Sequence, residues 1–363
     1  MALKNKINFL IDHIDPLGQG VFKKDGDIYF IPKTLPGESG QALALKKKKN
    51  IHFCRLLKIE SSSPDRIAPL CPHFKQCPGC HFLHTSYEKE LEFKKKSFAR
   101  ALAPLGNPRF TVKAAPERTG YRNRIQLHYR KKENKLGFIQ GKENKIVEVP
   151  RCQIIRPELR SAFDHLQGNW KELAKERPER GHVEIYLKPD GGVKVSWNSP
   201  YAASGFSQVN ERMNQALLGA LDESLKGLCF ESALDLFGGD GNLTSGLDLP
   251  VPIEHIDFYP GPHKEHFHSF DLEREDSLEL FAQKAKKNYE LFIVDPPRGG
   301  FKLLSKWVKK FSPKYLAYVS CHPQTMIRDL QNIEQPCEIL QTSLLDLFPS
   351  TFHFEAMTLI EFK

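Results

Sequence analysis

No stretch of this sequence approaches the ~18 consecutive apolar residues that a membrane-spanning helix needs. The opening segment, MALKNKINFLIDHIDPLGQG, carries polar groups where a secretory leader would place its apolar stretch. A cytoplasmic protein without membrane association is the resulting expectation. Internal repeats and low-complexity tracts are missing as well, which points to a globular chain rather than a solenoid or a disordered tail. Acidic residues are the scarcer charge, 44 against 53 lysines and arginines, for a formal net charge of +9. Such a surface can serve solubility alone. The clusters Lys46-Lys47-Lys48-Lys49, Lys94-Lys95-Lys96 and Arg130-Lys131-Lys132 tilt the balance toward a nucleic-acid partner.

What is present is enough chain, 363 residues at 40% hydrophobic composition, for two or three domains with at least one sizeable core. Residues 1–60 alternate short strand-like runs with turns such as Pro16-Leu17-Gly18-Gln19-Gly20, a spacing that suits a small β-barrel. Ser61-Ser62-Ser63-Pro64 reads as its exit linker. Residues 61–200 form a second, mostly β region. It contains a cysteine-rich loop, a helix over about 86–104 and another over about 157–176. The first helix is expected to start at a Thr85/Glu88 capping box and to pack Tyr87, Leu91, Phe98 and Leu102 on the domain that follows. Residues 201–363 change texture to alternating helices and apolar strands, the pattern of a doubly wound α/β sheet with ligands at the strands' C-terminal ends.

Three strand ends carry unusual residues. Ala233–Leu236 runs into Phe237-Gly238-Gly239-Asp240-Gly241, where missing side chains let a ligand approach the backbone. A plain β–α turn would read the same way. The absence of a Walker lysine and the acidic Asp235 favour a nucleoside-type cofactor over a nucleoside triphosphate. In Asp295-Pro296-Pro297-Arg298 two prolines cannot continue a central strand, so the chain turns away and leaves the Asp295 carboxylate at the sheet edge. Cys321, in Tyr318-Val319-Ser320-Cys321-His322-Pro323, ends a third strand. A lone cysteine is often just a small buried hydrophobe. A thiolate at this rim is also what methylation of uracil C5 requires, because addition to C6 turns C5 into an enolate-type nucleophile. Such a reaction then needs a base for the C5 proton. Glu355 is the candidate, the alternative being a solvent-facing strand residue. Finally, Cys71, Cys77 and Cys80 stand within ten residues, with Cys152 as a possible fourth ligand. Four thiolates suit tetrahedral zinc or a [4Fe–4S] cluster.

Taken in order, these segments resemble the RNA (uracil-5-)-methyltransferase family over nearly the whole chain. Leu17-Gly18-Gln19-Gly20 with Leu35-Pro36-Gly37-Glu38 is similar to a TRAM domain, an OB-like RNA-binding barrel. Ala68 through Cys80 resembles the family's iron–sulfur loop, with Cys152 at the distal ligand position. Tyr121-Arg122-Asn123-Arg124 and Leu136-Gly137-Phe138 match the central domain, and Phe206 to Asn210 the start of the catalytic one. Asp295 to Arg298, Ser320 to Pro323 with Arg328-Asp329-Leu330, and Asp346 to Glu355 complete the series.

The resemblance implies a C-terminal Rossmann-like, S-adenosylmethionine-dependent methyltransferase domain, an N-terminal TRAM barrel and a central domain with a [4Fe–4S] site. It makes Cys321 the nucleophile and Glu355 the base. Gln208, Phe237, Asn242 and Asp295 would line the cofactor and substrate pocket, with Gly239 and Gly241 making room for S-adenosylmethionine. Asp257 aligns with the residue that grips the cofactor ribose and Asp271 with the adenine side. Cys71, Cys77, Cys80 and Cys152 would hold the cluster. The implied partner is RNA, 23S rRNA ahead of tRNA, bound by a monomer. Three departures stand out: Cys77-Pro78-Gly79-Cys80 where two glycines are usual, His322 in place of asparagine, and only 30 positions from Gly241 to Asp271, as if a helix were trimmed. Loss of methyl transfer with retained RNA binding, or cytosine C5 as the target, are the competing readings.

Overall fold

The computed structural model describes residues 5–140, 144–199, 208–247, 249, 251–258, 266–285 and 288–363. The chain forms two compact units. The first comprises Met1–Ser97, Glu117–Ser199 and Phe348–Phe352; the second comprises Phe98–Pro116, Pro200–Leu347 and His353–Lys363. Phe206 and Ser207 of the catalytic-domain motif lie outside the described residues.

In the first unit, six strands among the described residues make one curled sheet, in the order Lys6–Leu10, Ser39–Lys48, Ile51–Ser61, Asp27–Pro32, Gln19–Lys24, His13–Ile14. The two edge strands are consecutive in sequence, so one bent segment supplies both edges. Asp25 and Gly26 have φ of 50° and 79°, the left-handed pair that a two-residue hairpin turn requires, and Lys24 pairs with Asp27 across it. Gly40 is needed for a close approach, since a Cβ there would meet the Lys58 carbonyl oxygen at 2.1 Å. A second sheet runs Lys145–Val147, Lys135–Gln140, Arg124–Arg130, Arg180–Leu187, Val193–Trp197. The helix Arg160–Leu173 buries Phe163, Leu166 and Trp170, spaced to share one face. Its core is continuous with Cys71, Cys80 and Cys152.

The helix Tyr87–Leu102 starts one residue later than the capping box predicts. Ser86 Oγ accepts the Lys89 N–H at 3.2 Å, while the Thr85 hydroxyl donates to the Asp65 carbonyl at 3.0 Å. The capping-box spacing pointed to Thr85, and a tertiary contact takes its hydroxyl instead. Lys94 also departs from expectation. It is buried, donating to Glu90 at 2.7 Å, so it is not part of a phosphate-binding surface.

The second unit is built on an eight-stranded sheet among the described residues, in the order Phe267–Ser269, Ile253–Asp257, Ala233–Leu236, Leu291–Val294, Tyr315–Ser320, Glu355–Phe362, Cys337–Leu345, Thr111–Lys113. The first five are mutually parallel. Glu355–Phe362 runs antiparallel to both neighbours. Leu291–Val294 and Tyr315–Ser320 are buried at every position, as strands covered on both faces are. The chain winds outward from Ala233–Leu236 in one direction and then in the other. That strand and Leu291–Val294 therefore flank the topological switch point, where open α/β sheets bind ligands. Phe98 and Leu102 belong to this unit's core. Among the described residues between Leu236 and Ile253, hydrogen-bonded turns over Gly241–Leu247 stand where a full crossover helix is usual. No helix among the described residues is long and apolar enough to cross a membrane.

Phe281 sits at the centre of an aromatic cluster, with the Tyr289, Trp307 and Phe311 rings 5.7–5.9 Å away. Phe281→Ala is expected to cost about 3–5 kcal/mol of stability, read as a lower urea midpoint for the second unit.

Candidate active site

The parallel strands end at a common rim, and each delivers one group to it. After Leu236, the backbone turns through left-handed φ at Phe237 (65°), Gly239 (49°) and Gly241 (75°). The Phe237 and Gly238 N–H groups both donate to the Ile256 carbonyl, at 2.9 and 3.2 Å, so the turn is pinned to the neighbouring strand. Asp257, ending that strand, accepts the Gly239 N–H at 3.0 Å. Asp235 is buried. Its Oδ2 accepts from the Thr244 hydroxyl at 3.1 Å and lies 3.2 Å from His255 Nδ1, while its Oδ1 has no partner. A buried, unanswered carboxylate oxygen beside an open glycine turn fits a polar cofactor better than an empty structural loop.

Asn242 exchanges two hydrogen bonds with Asn214 of the helix Glu211–Leu225, at 2.8 and 3.1 Å. Gln208 is buried just ahead of that helix, which Asn210 caps by accepting the Met213 N–H. Asp271 stands farther along the chain. Its carboxylate accepts the Glu273 N–H at 3.0 Å and shapes the turn into the helix Glu275–Lys284.

Cys321, Glu355 and Asp295 come together on the other side of the switch point. Cys321 is half-buried after Tyr315–Ser320. Glu355 opens the adjacent antiparallel strand, buried, with Oε2 unpartnered. It does not face solvent. Burial and the neighbouring Glu355 and Asp295 push the Cys321 thiol up to about 12, against a hydrogen bond and the positive charge of Arg298. Burial, with Asp235 nearby, lifts Asp295 to about 7. Glu355 is raised as well, by burial and then by Asp295, with Arg298 opposing. Negative groups thus crowd a desolvated rim, with Arg298 as the cation that faces them. The His322 ring is held neutral, mainly by burial, and its Nδ1 has no partner.

Sequence reasoning gave Arg298 and Asp329 no role of their own. Asp329 is buried and gathers the loop after Arg298. It accepts the Phe301 N–H at 2.6 Å, the Tyr318 hydroxyl at 2.7 Å and Arg328 at 2.6 and 2.9 Å. Arg328 also reaches the Gly299 carbonyl at 2.8 Å. Phe301 packs edge-on against Phe237, centroids 5.0 Å apart. One carboxylate therefore links the proline loop, the strand that ends at Cys321 and, through Phe301, the glycine turn. Its signal in the sequence was only an Arg-Asp pair on a helix.

In the first unit, Cys71, Cys77, Cys80 and Cys152 are all buried. Burial raises the thiols of Cys77, Cys80 and Cys152, and each also feels at least one of the other cysteines. Gly79 donates its N–H to Cys77 Sγ at 3.4 Å. Lys33 donates to the carbonyls of Phe74 and Cys77. Burial disfavours its ammonium, against the attraction of Cys77, Cys80 and Cys71. Among the described residues no group of three or more His, Cys, Asp or Glu is arranged to hold a single metal ion.

A sheet of this order with a glycine turn at its switch point defines a Rossmann-like α/β fold. In agreement, a Pyrococcus abyssi tRNA (uracil-54, C5)-methyltransferase, solved with S-adenosyl-L-homocysteine, superposes with a TM-score of 0.72 at 21% identity, covering 98% of this chain and 100% of its own. The model of the tRNA (uracil-5-)-methyltransferase family matches residues 274–363. A Shewanella frigidimarina protein named 23S rRNA (uracil(1939)-C(5))-methyltransferase RlmD is 27% identical, covering 99% of this chain and 96% of its own. Its Enterobacter namesake is 28% identical, covering 96% and 94%. The chain is thus similar over nearly its whole length to proteins named as RNA uracil-C5 methyltransferases.

The raised carboxyls make stability pH-dependent. Below about pH 4 the folded and unfolded chains both carry the Asp295 proton. Between the ordinary 3.8 and about 7 the unfolded chain gives it up first, so stability falls as pH rises through that window. Glu355 acts in the same direction. The melting temperature of the ligand-free protein should therefore decline from about pH 5 to 7. Asp295→Asn should flatten that decline; an unaltered slope would remove Asp295 from its origin.

Proposed function

We propose that this protein methylates C5 of a uridine in 23S rRNA, with S-adenosylmethionine as methyl donor, Cys321 as nucleophile and Glu355 as base. The observation that carries this reading is the convergence of Cys321, Glu355 and Asp295 at one desolvated strand-end rim facing Arg298. S-adenosylmethionine, when bound, supplies an electrophilic methyl group and a positive sulfonium charge. The glycine turn Phe237–Gly241, with Asp257 and the unanswered Asp235 Oδ1, is the part of the chain suited to hold it; Gln208, Asn242 and Asp271 complete the set assigned to it.

The Cys321 sulfur adds to uracil C6, and the electron pair of the C5–C6 double bond becomes the nucleophile at C5. Arg298 favours the thiolate and opposes the two carboxyls that disfavour it. After C5 has gained its methyl group, the Glu355 carboxylate takes the C5 proton. The electrons of that C–H bond restore C5–C6 and expel the Cys321 thiolate. Asp295, at the same rim, is placed to hold the base. The target nucleotide must leave its stack to reach the thiol.

Cys71, Cys77, Cys80 and Cys152, all buried, are the residues that would hold a [4Fe–4S] cluster, and the Lys33 ammonium beside three of them would face its negative charge. Methyl transfer exchanges no electron, so such a cluster would hold the loop and orient RNA. In the barrel of residues 1–60, Tyr29 stacks on His52 at 4.3 Å and Phe53 is exposed. With Lys46–Lys49 beside them, these rings suit single-stranded RNA. We assign residues 61–200 to RNA positioning and 201–363 to catalysis, in a cytoplasmic monomer.

Full-length similarity to proteins named for 23S rRNA supports that substrate, and the fold neighbour acts on tRNA. Anaerobic incubation of each RNA with labelled S-adenosylmethionine, followed by nucleoside analysis, decides between them. Label in 5-methyluridine of 23S rRNA is expected; label in 5-methylcytidine, or none at all, overturns the reading. Cys321→Ala should abolish turnover and leave RNA affinity within about twofold, because a thiol contributes little to backbone contacts. Cys77→Ser should lose iron, sulfide and solubility; a soluble variant with full iron content would exclude Cys77 as a ligand.

A further inference from the structure

Arg298 stands between two kinds of backbone. Pro296 and Pro297 precede it, with φ locked by their rings. Gly299 and Gly300 follow it, and glycine is the residue least able to hold a conformation by itself. Arg298 is exposed, yet it donates a hydrogen bond to the Cys321 thiol. An arginine side chain loses much entropy on being held in one place, so this contact depends on how firmly the backbone beneath it is fixed.

That fixing comes from the helix Pro323–Gln331, which starts two residues after Cys321. Arg328 Nη2 donates to the Gly299 carbonyl at 2.8 Å, and Asp329 Oδ2 accepts the Phe301 N–H at 2.6 Å. Between these bonds Gly300 bends at φ 75°. A Cβ on it would meet Asp329 Oδ2 at 2.4 Å and Arg328 Nη2 at 2.6 Å, so the glycine is seated directly on the ion pair. The pair is itself well fixed. Two nitrogens of Arg328 reach Asp329 Oδ1 at 2.9 and 2.6 Å, and the Tyr318 hydroxyl donates to Oδ2 at 2.7 Å. Tyr318 stands just ahead of Cys321 on its strand and pairs in the parallel ladder with Val294, just ahead of the proline loop. A closed circuit therefore runs from Cys321 back to Tyr318, across to Asp329, out to Gly299–Phe301 and on to Arg298. Every link belongs to the second unit.

We propose that Arg328 and Asp329 are positioning residues for Arg298: they fix the glycine pair, hold the guanidinium against Cys321 and thereby set the reactivity of that thiol. The inference rests on reading Cys321 as the nucleophile and Arg298 as the cation that favours its thiolate. Besides Arg298, Glu355 on the neighbouring strand and Asp295 on the proline loop face the thiol, and both oppose its ionisation. A displaced Arg298 leaves them unopposed, and less of the thiol is anionic at any given pH.

The full-length protein is treated anaerobically with iodoacetamide at about pH 7 to 10, and alkylation of the Cys321 peptide is followed by mass spectrometry. Arg298→Ala is the reference. It should slow alkylation on the order of 3- to 10-fold at a fixed pH, the scale of one charge-assisted hydrogen bond at a partly exposed site. Arg328→Lys keeps the charge and loses the fork; Gly300→Ala touches no charge and drives a methyl group into the pair. Asp329→Asn removes a negative charge, which through space alone would favour the thiolate and speed the reaction. Positioning requires the reverse. All three variants are expected to slow alkylation to within about twofold of Arg298→Ala, and adding Arg298→Ala to Asp329→Asn should slow it no further. Faster alkylation in Asp329→Asn, wild-type rates in Arg328→Lys and Gly300→Ala, or additive slowing in the double variant would each overturn this inference alone. An unchanged rate in Arg298→Ala removes Arg298 from the reading of the site, and this inference with it; turnover by Cys321→Ala removes the nucleophile instead. An Asp329→Asn protein that does not fold leaves the decision to Arg328→Lys, whose side chain is 39% exposed.

Discussion

Desolvation of like charges at the sheet rim governs the catalytic unit. Parallel strands that start together and have similar lengths also end together, so whatever residue follows each one is delivered to the same place. Here those residues are carboxylic acids and a thiol. Out of water their anions repel one another, so Asp295, Glu355 and Cys321 each hold a proton more tightly than in solution. Such a rim is poised. Its charge state responds to any cation brought close, and Arg298 is the one the chain supplies. The loop that carries Arg298 is anchored a few residues on by Asp329. That anchoring is why a buried aspartate without contact to the rim belongs to the site's architecture.

Much of this unit was legible because the sequence punctuates its strand ends. Two prolines after Asp295 stop a strand, and Pro323 starts a helix just after Cys321, so both side chains had to sit at boundaries. The glycines after Phe237 announced left-handed backbone in the same way. Glu90 and Lys94 announced nothing. They are four apart on a helix and look like an ordinary surface pair. Their burial depends on Arg118, 28 residues away, and on the Ser350 N–H, 260 residues away, and no local pattern encodes partners at such separations. The helix start failed for a related reason. The capping-box spacing singled out Thr85, but the Asp65 carbonyl, brought in by folding, claims its hydroxyl and Ser86 caps the helix instead.

Lys33 shows how charge can report on chemistry that the side chains alone leave open. Burial opposes its ammonium, and the acceptors that hold it are two carbonyls from the cysteine loop. It reaches that loop from the far side of the curled sheet's turn, where its own carbonyl accepts from Arg66 at 2.9 Å. Arg66 in turn pairs with the fully buried Glu38. A cation so placed beside three thiols suits a state in which those thiols are anionic. The cysteines were legible from spacing; their counter-charge, some forty residues earlier in the chain, was not.

The stretch Phe348–Phe352 also bears on how the molecule is made. The first unit completes its buried hydrogen bonding with five residues from near the end of the chain. Synthesis proceeds from the N-terminus, and domains ordinarily close as they emerge. This one cannot. Until Phe348–Phe352 has been made, Glu90 lacks its Ser350 partner, and the His81 and Phe82 N–H groups lack the carbonyl that receives them. The turn that follows Cys80 is thus completed by residues made some 270 positions later, so the first unit's buried polar network is one of the last parts of it to form.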